Sequence, residues 1–239
     1  MEMHEIIEGF KKLLDEHGPA CISSAMGILH GNDGAMDEGM KPILPGFDKI
    51  CGPARTIKFG PRTETDVRGT ASGGGFDYYN VLTDSLKPGD VLVVDLGGNY
   101  TWSSGPYGGN RNKMVKNMRA AGVLLDGYTR DLPELRSNPL PLFCRGVSVR
   151  LQGLKPVAME IEVKCGGVNV NPGDIICGDE SGVVVVPHQK AEQILKDAID
   201  NASLDDAVFS ALVAGMSASD ATKRRSPEAV RKLNPKWTK

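Results

Sequence analysis

Between Val91 and Asp131 the chain runs as an apolar strand, Val91-Leu92-Val93-Val94, that ends at Asp95. A glycine-rich passage to Gly109 and a helix follow, then a second apolar strand, Val123-Leu124-Leu125, which leads into Asp126-Gly127-Tyr128-Thr129-Arg130-Asp131. Two strands joined through a helix make a parallel crossover, and sheets built from such units place ligands beyond the carboxyl ends of their strands. This predicts an α/β fold. Both strands end in carboxylates, and the connecting helix begins after Gly108-Gly109. A helix start offers backbone N–H groups to an anion, Arg130 offers a planar fork to a carboxylate, and Asp131 offers oxygen to a hard metal ion. The combination suits a small carboxylate held against a divalent cation.

The rest of the chain narrows the setting. Its 239 residues allow one large domain or two small ones, and 40% hydrophobic with 24% charged residues excludes wholesale disorder. A net charge of -2 gives no general attraction to nucleic acid or to an anionic membrane, so neither is expected as a partner. Met1-Glu2-Met3-His4-Glu5 is acidic where a secretion signal would be basic, and no run approaches membrane-spanning length, so the expected location is cytoplasmic. Cys21, Cys51, Cys144, Cys165 and Cys177 are odd in number and form no CxxC pair, which argues for buried thiols over a zinc site or disulfide framework.

In chain order, Ile6, Ile7, Phe10, Leu13 and Leu14 share one face of a helix from Met3 to His17, with Gly18-Pro19 as its stop. Ser23-Ser24 read as the cap of a short helix from Ala25 to Leu29, and His30 begins a polar turn in which it is solvated. Gly52 to Phe59 reads as a strand. Gly73-Gly74-Gly75 lacks the Lys-Ser/Thr of a phosphate loop and reads as a loop near a site, with a helix from Phe76 ending before Lys87. Pro88-Gly89-Asp90 and Pro172-Gly173-Asp174 each predict a type II turn feeding a buried strand. Further strands are expected over Leu142 to Arg145, Glu160 to Val163 and Val183 to Val186, with Asp179 in a hairpin. Two helices follow, Gln189 to Asn201 and Leu204 to Ala214, the second capped by Ser203. The basic tail reads as solvated and lying on a neighbouring subunit.

The blocks Pro88 to Asp95, Gly97-Gly98, Asp126-Gly127 with Arg130-Asp131, Gly166-Gly167-Val168 with Pro172-Gly173-Asp174, and Gly178-Asp179 with Gly182 to Pro187 resemble the RraA-like family. That family contains class II 4-hydroxy-4-methyl-2-oxoglutarate aldolases and the regulator of ribonuclease activity A. The resemblance implies a swivelling β/β/α domain with N- and C-terminal helices over residues 1–222, a tail over 223–239, and assembly as a homotrimer or homohexamer. It also implies Mg2+ or Mn2+ on Asp131, substrate on Arg130, and backbone amides of Gly108, Gly109, Asn110 and Arg111 on the pyruvyl end. The chain departs from the family at Gly109, where aldolases carry an acidic residue, and at Ser24, where an aspartate is usual. Its loop from Asn99 to Tyr107 is longer, and Trp102 and Tyr107 hint at a differently shaped pocket.

The implied activity is a metal-dependent lyase that cleaves a 2-oxo acid, an aldol of the 4-hydroxy-4-methyl-2-oxoglutarate type or oxaloacetate, through a pyruvate enolate stabilised by Arg130, Asp131 and the amides. Which group transfers the proton stays open. A Schiff base on Lys113 or Lys116 is the enzymatic rival, although both lysines read as solvated helix residues. Taken alone, Arg130-Asp131 would be an ordinary surface pair, and Asp95 and Asp126 would be strand-end residues capping the next turn. The alternative function is a non-catalytic ring that binds an RNA-processing enzyme.

Overall fold

Pro88-Gly89-Asp90 and Pro172-Gly173-Asp174 both close the expected turn in the computed structural model, which describes residues 1–32, 34–61, 76–98, 107–150, 153–226 and 228–230. Asp90 N–H donates to Lys87 O at 3.0 Å and Asp174 N–H to Asn171 O at 3.1 Å. Gly89 and Gly173 take φ of 91° and 86°, the left-handed value that the third turn position demands. In each turn the aspartate carboxylate also accepts from the amide three residues back, at 2.8 Å in both cases. The strands they feed flank the same long strand.

The chain divides into two compact units, one of Ala35–His188 and one of Met1–Gly34 with Gln189–Lys239. The terminal unit holds helices α1 (Met3–His17), α2 (Pro19–His30), α6 (Ala191–Val213) and α7 (Ala218–Thr222). The central unit opens with β1 (Lys41–Pro42), β2 (Ile50–Pro61), α3 (Phe76–Asp84), β3 (Val91–Asp95), α4 (Gly109–Asn117) and β4 (Gly122–Thr129). It continues with α5 (Leu132–Ser137), β5 (Leu142–Val147), β6 (Leu154–Met159), β7 (Val163–Cys165), β8 (Val168–Val170), β9 (Ile175–Asp179) and β10 (Gly182–Val186).

Strands β2 through β5 pair in parallel, in the order β5-β4-β3-β2. Strand β1 extends one side antiparallel, while β9 and β10 extend the other, and β6 also pairs with β2. A parallel sheet needs cover on both faces, and the alternation along its strands supplies two cores. Leu92, Val94, Val123, Leu125, Leu142 and Cys144 pack with Tyr79, Leu82, Val115 and Leu135 of the helices. Val91, Val93, Leu124 and Phe143 pack the other way, with Val163, Cys165 and Val170 of the β7–β8 hairpin. Each fully buried Val or Leu contributes about 2 kcal/mol, so β3, buried along its whole length, anchors both cores. The result is the expected β/β/α layering with helices at both ends of the chain.

Several boundaries differ from the sequence reading. Helix α2 starts at Pro19 and runs through Ser23-Ser24, because Gly18 at φ 71° ends α1 and proline is preset for the first helical position. Helix α6 is continuous: Ser203 donates to Ile199 O at 2.9 Å from within it instead of capping a second helix. Glu160 is no strand residue. It turns left-handed at φ 53° between β6 and β7, where its carboxylate accepts from Arg55 Nε at 2.9 Å. Strand β4 continues past Asp126 to Thr129, through a register shift against β5 after Leu125. All five cysteines are buried free thiols, and burial pushes Cys21 and Cys144 up to about 11, which removes thiolate reactivity at neutral pH. At the start of the basic segment, Arg225 folds back onto Asp205 and Asn201 of α6. The Gly73-Gly74-Gly75 loop, Trp102 and residues 231–239 lie outside the described residues, as does the side chain of His30.

Candidate functional site

At the end of β4, Thr129 is buried and its hydroxyl donates to Tyr107 O at 3.2 Å, which ties the strand end to the residue just before α4. The chain then turns sharply. Asp131 adopts φ 61° and ψ 42°, a left-handed conformation that aspartate tolerates at a cost on the order of 1 kcal/mol. As N-cap of α5, it accepts at its backbone oxygen from Glu134 and Leu135, both at 3.0 Å. This turn aims its carboxylate at the start of α4, where Asp131 Oδ2 accepts from Gly109 N–H at 3.2 Å. An anion beside a helix N-terminus meets both free amides and the positive end of the helix dipole.

The glycines of α4 follow from this approach. A Cβ on Gly108 would lie 2.3 Å from Asp131 Oδ2, and one on Gly109 would lie 1.6 Å from Glu134 Oε2. No side chain fits at position 109 while Glu134 holds its place, because the Glu134 carboxylate of α5 occupies the space that a Cβ there would take. Sequence reasoning missed Glu134. The signal was present in Asp131-Leu132-Pro133-Glu134, an N-cap, a proline in the first turn and an acid at the third position, which together start a helix and set Glu134 one turn from Asp131.

Arg130 lies beside this pair, with its Nε 3.5 Å from Asp131 Oδ2. That Nε is buried without a hydrogen-bond partner, although the side chain as a whole is 40% exposed. A buried N–H left unsatisfied costs about 1–3 kcal/mol, a penalty that an incoming oxygen acceptor would relieve. The structure thus brings together Gly108, Gly109, Arg130 and Asp131 as the sequence predicted, and Asn110 is exposed on the first turn of α4. The Arg111 side chain does not join them. It turns inward over the Tyr79 ring, 4.3 Å from guanidinium carbon to centroid, and bonds Asn80 Oδ1 at 2.6 Å, leaving its main chain as the part on the helix start. Burial lowers its pKa from the arginine value.

Two other expectations are corrected. Tyr107 lines no opening: it is fully buried, and its hydroxyl donates to Asn112 Oδ1 at 3.0 Å. Asp95 caps its turn through Gly97 N–H at 2.6 Å as expected, but Asp126 accepts from the distant Gly166 N–H instead of capping the turn that follows it. Asp126 is paired with Arg145 Nε at 2.5 Å on the opposite face of the sheet, because the alternation along β4 turns it away from the helices.

The donor set fits a hard, water-rich cation. Magnesium keeps most of its water and binds through one or two carboxylates, which Asp131 with Glu134 nearby can provide. Among the described residues no three His, Cys, Asp or Glu are placed to hold a metal ion together, so a closed zinc-type cage is not offered. Lys113 is exposed and Lys116 half-buried on α4. No helix among the described residues is long and apolar enough to cross a membrane.

A family model described as RraA-like, Aldolase/RraA, matches residues 14–185. A Halalkalibacterium halodurans protein that carries the provisional name 4-hydroxy-4-methyl-2-oxoglutarate aldolase is 30% identical over 188 residues, 78% of this chain and 80% of its own. Streptomyces coelicolor RraAS2, described as an unusual member of the RNase ES inhibitor RraA protein family, aligns with a TM-score of 0.70 at 30% identity, covering 84% of this chain and 94% of its own. An uncharacterized Pseudomonas syringae protein shares the fold with a TM-score of 0.73 at 22% identity, over 91% of this chain and 96% of its own.

Proposed function

Because the chain belongs to the RraA-like (Aldolase/RraA) family, we propose that it is a lyase that releases pyruvate from a 2-oxo acid at the start of α4. The aldolase names of relatives such as the Halalkalibacterium protein support the reaction class. The observation that carries the reading is the convergence of an Arg130 Nε without a hydrogen bond, the α4 amides and a carboxylate pair on one turn. The candidate substrates are an aldol of the 4-hydroxy-4-methyl-2-oxoglutarate type and oxaloacetate.

Cleaving the C3–C4 bond, one carbon out from the keto group, leaves its electron pair on C3 and spread onto the keto oxygen as an enolate. Arg130 and the helix amides supply fixed positive potential where that charge grows, and such preorganised donors are worth about 10²–10³ in rate each. Amides of this turn other than Gly109 N–H, which is already on Asp131 Oδ2, hold the substrate carboxylate, and this needs no particular side chain on Asn110 or Arg111. Glu134 takes the proton of the 4-hydroxyl during aldol cleavage and returns a proton to the enolate carbon, the task that Gly109 cannot perform. With oxaloacetate the departing group is carbon dioxide, and only the return of the proton is required. Mg2+ or Mn2+ on Asp131 would add Lewis-acid charge for the keto acid.

Pyruvate release from oxaloacetate with magnesium, followed through lactate dehydrogenase, tests the reading. Asp131→Ala and excess chelator should each cut the rate by about 10²-fold or more. Undiminished turnover in both would sink it, and borohydride trapping of a lysine adduct would move the chemistry to a Schiff base. We further propose a ring-shaped homotrimer or homohexamer, measurable by sedimentation velocity. The second reading, a non-catalytic regulator of an RNA-processing enzyme, is favoured by the description of the Streptomyces structure. Ribonuclease inhibition that survives Arg130→Ala and Asp131→Ala, in a chain without magnesium-dependent turnover, would select it.

A further inference from the structure

The sheet face turned away from α4 carries a second set of charged residues. The alternation that points Val91, Val93, Leu124 and Phe143 into the core beneath this face continues to Asp95, Asp126 and Arg145 at the strand ends. With Asp37, Lys58 of β2 and Lys164 of β7, they line a cavity of about 440 Å³, within the range of about 300–1,000 Å³ usual for small-ligand pockets. Asp95 and Asp126 are only 4% and 7% exposed. Carboxylates this buried are costly unless hydrogen bonds hold them, and here they are held.

The pattern of engagement says what is left for a ligand. Arg145 is occupied on all three nitrogens: Nε on Asp126 Oδ1 at 2.5 Å, and the two terminal nitrogens on Asp37 Oδ1 and Oδ2 at 3.0 and 2.8 Å. Asp126 Oδ2 accepts from Gly166 N–H at 3.0 Å, and Asp95 accepts from the amides of Gly97 and Lys164 at 2.6 and 3.3 Å. Each carboxylate oxygen has two lone pairs, so these groups still accept from a ligand hydroxyl. Lys58 and Lys164 both line the cavity and their ammonium groups make no hydrogen bond or ion pair among the described residues; Lys58 is the register partner of Asp95 across β2 and β3, and the main-chain amide of Lys164 donates to Asp95. The cavity is therefore lined by two lysines suited to an anionic group, beside three acceptor-only carboxylates for hydroxyls. Inorganic phosphate carries only one or two hydroxyls near neutral pH, all on one compact and more highly charged group that those carboxylates would repel. A bare cation would be repelled by Arg145 and the two lysines.

We propose that this cavity is a second ligand site that takes a small polyhydroxylated carboxylic acid, its carboxylate on Lys58 and Lys164 and its hydroxyls on Asp37, Asp95 and Asp126. It shares no residue with the Arg130–Asp131 site, so it stands whether or not that site is a lyase. Isothermal titration of the full chain with D-gluconate, L-threonate and D-glycerate tests it, with hexanoate and inorganic phosphate as comparators. At least one of the three hydroxy acids should bind saturably, and Lys58→Ala and Lys164→Ala should each weaken it by about tenfold or more, with unchanged circular dichroism. Asp131→Ala should leave that binding as in the wild type, and hexanoate and phosphate should bind at least about tenfold more weakly. No saturable binding by any of the three, binding retained in the double lysine variant, loss in Asp131→Ala, or phosphate binding as tight as the hydroxy acid would each overturn it.

Discussion

Two arginine–aspartate pairs lie on opposite faces of one sheet, and they are built to different ends. Arg145 and Asp126 meet at 2.5 Å with side chains 13% and 9% exposed, and every nitrogen of the guanidinium has a carboxylate oxygen. Arg130 and Asp131 approach only to 3.5 Å, at 40% and 38% exposure, and the arginine Nε has no hydrogen bond. The first pair clamps β4 and β5 to Asp37 in the segment before β1. The second holds charge ready at a helix start. Residue type does not separate the two roles; saturation of donors and acceptors does.

The contrast can be broken in order of expected effect. Arg145→Ala leaves Asp126 buried beside an empty space and should cost about 3 kcal/mol or more in a denaturant melt. Arg130→Ala should change stability by under about 1 kcal/mol, since exposed pairs contribute little, while lowering kcat/KM for pyruvate release by about 10²-fold. If the two substitutions exchanged these signatures, the assignment of roles would be reversed.

A finer test sits at position 109. Gly109→Ala forces Glu134 away from the α4 start and should reduce kcat by about tenfold. Combined with Glu134→Gln it should add little, because both changes remove one carboxylate from one place. Fully multiplicative losses would show that Glu134 acts elsewhere.

The smallest effect is a pH dependence in the saturated pair. Hydrogen bonds from Arg145 hold the Asp37 carboxyl below the usual aspartate range, so its folded-state pKa lies under the unfolded value. The stabilisation is then full above about pH 4 and fades as pH falls through the folded pKa. The stability difference between wild type and Asp37→Asn, followed by melts across acid pH, should shrink on acidification. A difference that grew instead would show that the arginine does not favour the ionised form.

Much of this architecture is legible along the chain because the evidence is local. Two Pro-Gly-Asp turns and the apolar runs they feed each report a backbone need that neighbours in sequence satisfy. The misreadings at Ser23-Ser24 and Ser203 share one cause. A serine that caps in isolation sits equally well inside a helix whose apolar face is buried, and packing outweighs the cap. Asp126 was misjudged because its partners, Arg145 and Gly166, lie 19 and 40 residues away.

Periodicity and turn chemistry alone were enough for the strand–helix–strand unit, the placement of Arg130 and Asp131 past its second strand, and the glycine-opened helix beside them. They could not tell that Glu134 stands where a side chain at position 109 would go, or that Tyr107 is core. They also could not tell that one Arg–Asp pair is closed and the other open. Those facts depend on which groups meet after the chain has folded, and a hydrogen bond across the sheet leaves no period in the sequence.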